Sequence, residues 1–239
     1  MDDVLRRTFD RAIAENRYPG RGLIIGRNEL GEWALVYWIM GRSDNSRNRQ
    51  FVADGGTLRT QAYDARRVVD PSLIIYEAML ELPGVQLVSN GDQTRTIHDA
   101  LSRGSSFEAA LSTRAHEPDA PHYTPRISGM LDLRGAEPRV RLSILRASPA
   151  DVSSTDRTFF DVALPPHGVG RGLTTYAGDG DPLPTFVGEP LALPLAGGGA
   201  DILERYWSAL DADNRISLAV KTVAADGRGR ELRVRNRYS

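Results

Sequence analysis

Residues 22–40, GLIIGRNELGEWALVYWIM, decide the predicted fold. Two apolar runs, 22–27 and 33–40, flank the short polar segment NELG, and this pattern predicts two antiparallel strands joined by a hairpin turn. The second run is apolar at every position, which is typical of a buried strand. The sequence therefore predicts a buried β-hairpin near the start of the chain.

The rest of the chain is predicted to add strands and a few helices around this hairpin. Helical spacing of apolar residues predicts helices at 4–15, 96–103, 107–114 and 200–210. Strand patterns occur at 51–54, 58–61, 85–89, 127–133, 139–146, 158–164, 173–176, 216–224 and 231–236. Residues 73–82 are ambiguous, with a strand favoured that runs on into a helix, and the glycine-rich segment 195–201 is expected to act as a hinge. This order predicts an α+β sandwich of two stacked, mostly antiparallel sheets with helices outside them, in one domain spanning 1–239.

Composition excludes several classes of protein. The chain has 239 residues, a formal net charge of -1 and a pI near 6.4, which argues against a general nucleic-acid binder. It has no cysteine, so disulfides and thiolate chemistry are excluded, and its four histidines lack the spacing of a metal site. The first residues are charged, without an apolar signal core, and no apolar run approaches the ~20 residues of a membrane span. We therefore expect a cytoplasmic protein that binds neither nucleic acid nor membranes.

A cluster of arginines follows the buried strand at 33–40. The segment GRSDNSRNR places Arg42, Arg47 and Arg49 directly after it. Guanidinium groups bind phosphate and carboxylate through paired hydrogen bonds, and a short glycine turn exposes backbone N–H groups beside them. The pattern therefore favours an anion site, and the alternative is a solvated loop whose arginines point to water.

Three other segments carry polar residues at strand ends. In YPGRG, Arg21 lies between two glycines, where a simple turn is the alternative. In VSNGDQT, Asn90 precedes a helix and could contact a ribose or a base, although helix capping explains part of the segment. The proline-bounded loop HEPDAPHYTPR contains Glu117, Thr124 and Arg126, and stiff loops rich in ionisable groups often form active sites. A structural ion pair explains that loop equally well.

Metal-binding and phosphate-binding motifs are missing from the sequence. The aspartates of GDGDPLPTFVGEP lack the ligand spacing of an EF-hand loop. Neither the P-loop pattern nor a dinucleotide-binding glycine pattern after a strand occurs. No metal site is therefore expected.

Five segments, in order, resemble the archaeal-type IMP cyclohydrolase family: GRGLIIG, GRSDNSRNR, DPSLIIYEA, LVSNGDQTRTI and YTPRISG. They fall within roughly residues 20–130, mainly at strand–loop junctions, and the C-terminal half is less similar. The resemblance implies a four-layer αββα sandwich like that of N-terminal-nucleophile hydrolases. Members of that class use an N-terminal Ser, Thr or Cys. Because this sequence starts Met1-Asp2-Asp3, the fold is expected without the nucleophile.

The resemblance also implies a reaction, the closure of the last purine ring. In this family the carboxamide nitrogen of 5-formamidoimidazole-4-carboxamide ribonucleotide attacks the formyl carbon, and the carbinolamine loses water to give IMP, without a metal or organic cofactor. By position in the family motifs, Arg49 would stabilise the oxyanion, Tyr76 would protonate the departing hydroxyl and Glu117 would be the base. The candidates for contacts with phosphate, ribose and base are Arg21, Arg42, Arg47, Glu77, Asn90, Thr124 and Arg126. The expected partner is thus a purine ribonucleotide, and the resemblance leaves a homo-oligomeric state open.

Two departures from the family pattern keep other functions open. Glu77 stands where the family tends to have asparagine, and the longer arginine loop leaves the choice between Arg47 and Arg49 open. One alternative is a ring-closing or ring-opening amidohydrolase that acts on a related purine-like ribonucleotide in a specialised pathway. Another is a non-catalytic protein that binds purine nucleotides. An RNA-binding module is a third, and the neutral net charge counts against it.

Overall fold

The hairpin predicted at residues 22–40 lies at the centre of one of two antiparallel sheets. The computed structural model of the chain describes residues 2–68, 71 and 73–238. The strands are β1 (Gly22–Arg27), β2 (Trp33–Met40), β3 (Arg49–Asp54), β4 (Thr57–Ala62), β5 (Glu77–Leu82), β6 (Val85–Ser89), β7 (Arg126–Asp132), β8 (Arg139–Ala147), β9 (Thr155–Val162), β10 (Val169–Thr174), β11 (Leu191–Pro194), β12 (Arg215–Val223) and β13 (Arg230–Asn236). The first sheet has the order β11-β10-β1-β2-β12-β13, and the second runs from β3 to β9 in chain order. Each pairing is antiparallel in the described residues.

Five α-helices accompany the sheets. They are α1 (Asp3–Phe9), α2 (Asp44–Arg47), α3 (Gln93–Ser102), α4 (Phe107–Ser112) and α5 (Gly199–Ala209) within the described ranges. The first continues as a π-helical turn, Asp10–Ala14, and a 3₁₀ turn spans Ala65–Arg67. In the part of the chain that the structure describes, no helix combines the length and the apolar character needed to cross a membrane.

The apolar residues form three clusters between four layers. One cluster lies between the two sheets and includes Leu35 and Tyr37 of β2. A second joins the other face of the first sheet, including Val36, to α1 and α5. The third joins the second sheet to α3 and α4. Because β2 is buried on both faces, its sequence is apolar at every position, and the α+β sandwich predicted from the sequence is confirmed.

The register of the central hairpin depends on a glycine. Gly22 pairs with Trp38, and a Cβ atom added to Gly22 would lie 1.9 Å from the indole ring. Only a residue without a side chain fits there, because interior packing leaves no room for an added methyl group. The indole ring of Trp38 therefore packs closely against the start of β1.

Several boundaries differ from the sequence predictions. Within 73–82 only Glu77–Leu82 is a strand, and the predicted helix is wrong, because the tight turn at Pro83 and Gly84 leads directly into β6. β11 and α2 were not predicted, since four-residue elements give too few positions for a periodic pattern. Residues 195–201, predicted as a hinge, comprise the turn before α5 and the first three residues of that helix, and the hinge stays a prediction. The likeness to N-terminal-nucleophile hydrolases stays a prediction.

Candidate functional site

A cavity of about 240 Å³ opens where β1 begins and where β2 and β10 end. These ends meet because β1 pairs with both neighbours, so that Gly22 lies opposite Trp38 on one side and Thr174 on the other. The residues that line the cavity are Tyr18, Gly20, Arg21, Met40, Arg42, Ser43, Ser46, Arg49, Asp119, His122, Thr124, Thr175, Tyr176 and Leu183. Segments predicted separately as polar clusters thus form one site.

Arg49 carries a buried positive charge at the cavity wall. Its side chain is 1 % exposed; Nε donates to the carbonyl oxygen of Ser46 at 2.8 Å, and Nη2 donates to that of Met40 at 3.2 Å. Nη1 has no hydrogen-bond partner, and none of the described carboxylates forms an ion pair with Arg49. Burial, reinforced by the charge of Arg21, lowers the pKa of Arg49. A buried guanidinium without a counter-charge is suited to receive an anion.

Arg21 links the cavity to a buried carboxylate. Its Nη1 donates to both carboxylate oxygens of Glu117, at 3.2 and 3.1 Å. Glu117 is 1 % exposed and is reached from the cavity through Arg21, which is itself a lining residue. Burial raises the pKa of Glu117, although the charges of Arg21 and Arg126 partly oppose this. A carboxylate with a raised pKa is better suited to accept a proton near neutral pH than an exposed one.

Arg42 connects the loop after β2 to the loop after β10. Its Nη1 donates to a carboxylate oxygen of Asp179 at 2.6 Å and to the carbonyl oxygen of Gly180 at 3.1 Å. The same guanidinium lies 5.0 Å from the ring centroid of Tyr18. Arg42 is about one-third exposed, so its charge is accessible from the cavity mouth. An anionic ligand would compete with Asp179 for it.

Tyr76 lies deeper, in the core between the sheets. Its hydroxyl oxygen is 2.7 Å from that of Tyr37, and both side chains are buried. Tyr76 does not line the cavity, but its phenol is near enough to Arg21 and Arg49 to interact with their charges. Arg21 therefore lies within electrostatic reach of all three residues predicted to be catalytic, and of these Arg49 alone lines the cavity.

A chain of short hydrogen bonds forms another part of the cavity wall. The carboxylate of Asp119 accepts from the backbone N–H of Thr124 at 2.6 Å and also from its hydroxyl. The Thr124 hydroxyl oxygen lies 2.6 Å from the hydroxyl oxygen of Tyr176. Thr124, predicted to contact substrate, therefore uses its backbone N–H and its hydroxyl within the protein.

Two residues predicted to bind substrate point away from the cavity. Arg47 donates through Nε to the carbonyl oxygen of Gly41 at 3.1 Å and does not line the cavity. Glu77 pairs with Arg95 on the outer face of the second sheet; its carboxylate accepts hydrogen bonds from Nη2 and from Nε of Arg95, the latter at 2.8 Å. Of the two neighbouring arginines, Arg49 therefore lies at the cavity and Arg47 does not. Glu77 also lies outside the cavity.

Asn90 and Arg126 hold the chain around the site. The amide of Asn90 donates to the carbonyl oxygen of Pro125 and accepts from the backbone N–H of Ile127, both at 2.8 Å. Arg126 donates to the side-chain oxygen of Gln93 at 2.8 Å. Both side chains are buried and neither lines the cavity. Their contacts fix the loop that carries Glu117 and Thr124.

The sequence analysis did not select several lining residues. Tyr18 precedes the first strand and Tyr176 follows β10, and both are aromatic residues of a kind that usually fills a core. Asp119 and His122 belong to the proline-bounded loop, whose ionisable side chains were the signal for a site. Their shared position beyond strand ends is the pattern that could have identified them.

Among the residues that the structure describes, no group of three or more histidine, aspartate and glutamate side chains is arranged to hold a metal ion. The polar groups of the cavity are instead guanidinium, carboxylate, hydroxyl and imidazole groups. The arrangement can bind an anion and move protons.

Comparison with known families gives the same assignment. The sequence profile of the family described as IMP cyclohydrolase-like protein matches residues 18–227, which include every lining residue of the cavity. No curated protein is similar enough to match the chain. Because the match covers most of the chain and contains the whole cavity, the protein belongs to the family of IMP cyclohydrolase-like proteins.

Proposed function

We propose that the protein is an IMP cyclohydrolase, which converts 5-formamidoimidazole-4-carboxamide ribonucleotide to IMP and water. The observation that carries this proposal is the buried guanidinium of Arg49, which lines the cavity together with two further arginines and whose Nη1 has no hydrogen-bond partner. Such a group stabilises negative charge that develops on a bound ligand, because it is already oriented and shielded from water. The family membership supports a ring-closing reaction of this type.

The reaction needs a folded substrate, an oxyanion site and proton transfers to and from the reacting groups. The carboxamide nitrogen forms a bond to the formyl carbon, and the formyl oxygen takes up negative charge and then a proton. Arg49 stabilises that oxygen through Nη1. The carbinolamine then loses its hydroxyl group as water, and Tyr76 supplies the proton, which is the role its position beside Arg49 supports. The former formamide nitrogen gives up its N–H proton to solvent as the C=N bond of the new ring forms.

Glu117 is the proposed base for the carboxamide N–H. Both of its carboxylate oxygens accept hydrogen bonds from Arg21. An anionic ligand that engages Arg21 competes with Glu117 for this guanidinium and frees the carboxylate for proton transfer. Arg21 and Arg42 are then available for phosphate contacts, since each is a lining residue with a carboxylate partner that the ligand can displace.

The placement of Glu77 bears on the alternatives. Glu77 was the feature that favoured a non-catalytic nucleotide-binding protein or an altered substrate. Its carboxylate pairs with Arg95 outside the cavity, so it adds no negative charge to the lining. The composition of the cavity therefore favours the catalytic proposal over the non-catalytic one.

The direct test is turnover of the formamido ribonucleotide by the purified protein, followed by the absorbance of IMP. We expect formation of IMP without added metal or cofactor. Binding of the nucleotide without turnover would favour the non-catalytic alternative. RNA affinity with a steep salt dependence, and no affinity for mononucleotides, would contradict both.

A pair of conservative variants tests the role of Arg49. Arg49→Lys removes the fixed fork of donors and should lower kcat by about a hundredfold, as for other oxyanion-stabilising donors. Arg47→Lys, two residues away and outside the cavity, is the matched control and should keep kcat within about threefold. Circular dichroism melting of both variants checks that folding is unchanged. Equal turnover in the two variants would remove Arg49 from the chemistry.

A further inference from the structure

The hydrogen-bond chain at Asp119, Thr124 and Tyr176 has a fixed direction. A carboxylate has no proton to give, so the Thr124 hydroxyl must donate to Asp119. A hydroxyl group has one proton, and the hydroxyl proton of Thr124 is the one donated to Asp119. The bond between Thr124 and Tyr176, 2.6 Å long, must therefore be donated by Tyr176. The tyrosine oxygen keeps acceptor capacity but has no proton left to offer.

We propose that Tyr176 is a specificity-determining residue that accepts a hydrogen bond from an O–H or N–H group of the ligand, with Asp119 and Thr124 as positioning residues that set this polarity. All three side chains line the cavity. The inference rests on the proposed function, because it assigns one contact within the same nucleotide site.

The surroundings of Tyr176 support this assignment. Burial raises the pKa of Tyr176 to about 12, so the phenol keeps its proton at neutral pH. Its ring stacks on that of Tyr18 at a centroid distance of 5.9 Å, which holds the hydroxyl in place. The phenol also lies within electrostatic reach of Arg21 and Glu117, so it is close to the groups proposed to act on the ligand.

Two kinds of donor on a purine ribonucleotide have the required chemistry. One is a ribose hydroxyl, and the other is an N–H group of the base or of its open-ring carboxamide precursor. A site with a fixed acceptor discriminates against ligands that lack the matching donor, because the acceptor is then buried without a partner. The affinity of an analogue that lacks the donor group therefore shows whether the protein presents a fixed acceptor to that group.

The experiment measures Kd by calorimetry for IMP, 2′-deoxy-IMP, 3′-deoxy-IMP and N1-methyl-IMP. In the unmodified protein, one analogue should bind about tenfold more weakly than IMP. Weak binding of a deoxy analogue would identify a ribose hydroxyl as the donor, and weak binding of the methylated analogue would identify the base N–H. In Tyr176→Phe the difference between IMP and that analogue should disappear.

Tyr206→Phe is the matched control for the loss of a buried hydroxyl. Tyr206 is fully buried and donates to the carbonyl oxygen of Pro194 at 3.0 Å, outside the cavity. This variant should keep the discrimination of the unmodified protein. Tyr176→Phe should lose that discrimination, although each of the two variants removes one buried hydroxyl group.

Asp119→Asn tests the direction of the hydrogen bonds between residues 119, 124 and 176 without replacing Tyr176. The amide oxygen can still accept from the backbone N–H of Thr124, and the amide nitrogen then donates to the Thr124 hydroxyl oxygen. The Thr124 hydroxyl must donate to Tyr176, which turns the tyrosine into a donor. This variant should therefore lose the tenfold discrimination as Tyr176→Phe does.

The outcomes separate this inference from the proposed function. If the unmodified protein binds IMP and all analogues equally, or if Tyr176→Phe or Asp119→Asn keeps the original discrimination, the inference is overturned and the proposed function stands. If the unmodified protein does not bind IMP at all, the proposed function fails and the inference fails with it. Lost discrimination in both variants, with Tyr206→Phe unchanged, supports it.

Discussion

Glu117 is a buried carboxylate whose protonation should be visible in the activity. As the proposed base it must be ionised, so kcat/KM should rise with pH as Glu117 loses its proton. Burial raises the pKa of Glu117, so this rise should occur at a higher pH than for an exposed glutamate. Glu117→Gln should remove the pH-dependent rise and lower kcat/KM by about a hundredfold or more. Rate measurements across the acid range test this.

The control is a glutamate of the surface. Glu108 pairs with Arg141 at 2.8 Å on the far side of the second sheet, and Glu108→Gln should leave the pH profile unchanged. A profile of Glu117→Gln that still shows the original acid-side rise would assign that titration to another group. His122, which also lines the cavity, would then be the first residue to substitute.

The sequence could identify the arginine cluster but not the roles within it. Arg47 and Arg49 are two residues apart, and their side chains diverge because α2 ends at Arg47 and β3 begins at Arg49. The short helix depends on Ser43 and Ser46, which cap each other's backbone N–H groups. Four residues carry no periodic signal, so this change of direction was not predictable.

The turn at Gly41 determines where that short helix lies. A Cβ atom added to Gly41 would lie 2.7 Å from the Ser46 hydroxyl oxygen and 2.8 Å from the Ser46 carbonyl group. That carbonyl oxygen accepts the Nε–H of Arg49, so Gly41→Ala should displace Arg49. We expect kcat/KM to fall about tenfold or more, because small displacements of catalytic groups are costly. Steady-state kinetics measures this directly.

Gly135→Ala is the corresponding control at an exposed turn of the second sheet. Its nearest contact for an added Cβ would be 3.4 Å, from the backbone of Glu137, which is an ordinary distance. Activity and stability should therefore be unchanged. If Gly41→Ala also retains full activity, the position of α2 does not control Arg49.

Strands with a strong apolar pattern were predictable, and the loops between them were not. The bounds of β1, β2 and β6 agree with the sequence prediction, because these strands are buried along their length. The stretch before β5 was misread because Tyr76 carries its apolar ring into the core without being part of a strand. Apolar content reports burial, whereas hydrogen bonding to a neighbouring strand depends on distant residues.

The cavity itself depends on how the ends of separate strands come together. The anion-binding character could be predicted from residue types, but the direction of the Asp119–Thr124–Tyr176 chain could not, because it depends on distances between residues far apart in sequence. The separation of Glu77 from the cavity likewise depends on which face of the second sheet its side chain occupies. Both features follow from sheet pairing, which composition alone does not specify.

A buried cation on β12 reaches from the first sheet to the second, and this gives a final prediction. Lys221, the single lysine of the sequence, lies on β12 of the first sheet, fully buried. Its ammonium donates to the carbonyl oxygen of Gly56, in the turn between β3 and β4, at 2.8 Å and to Glu81 of β5 at 2.7 Å. Burial lowers the pKa of Lys221, while the carboxylate of Glu81 opposes this. Removing Lys221 leaves the Gly56 carbonyl oxygen and the Glu81 carboxylate without the hydrogen bonds that the ammonium donates.

Lys221→Met should therefore lower the free energy of unfolding by about 3 kcal/mol, measured by chemical denaturation. This loss of stability lies at the low end of the range for breaking a buried ion pair, because Glu81 keeps a second partner, Arg230, at 2.9 Å. Arg139→Met removes an exposed charge without an ion pair in the described residues, and it should change stability by less than about 0.5 kcal/mol. Replacing both members, Lys221→Met with Glu81→Leu, should cost less than the sum of the single variants, because no charge is then left unpaired. Additive losses would show that the ammonium and the carboxylate do not stabilise each other across the sheets.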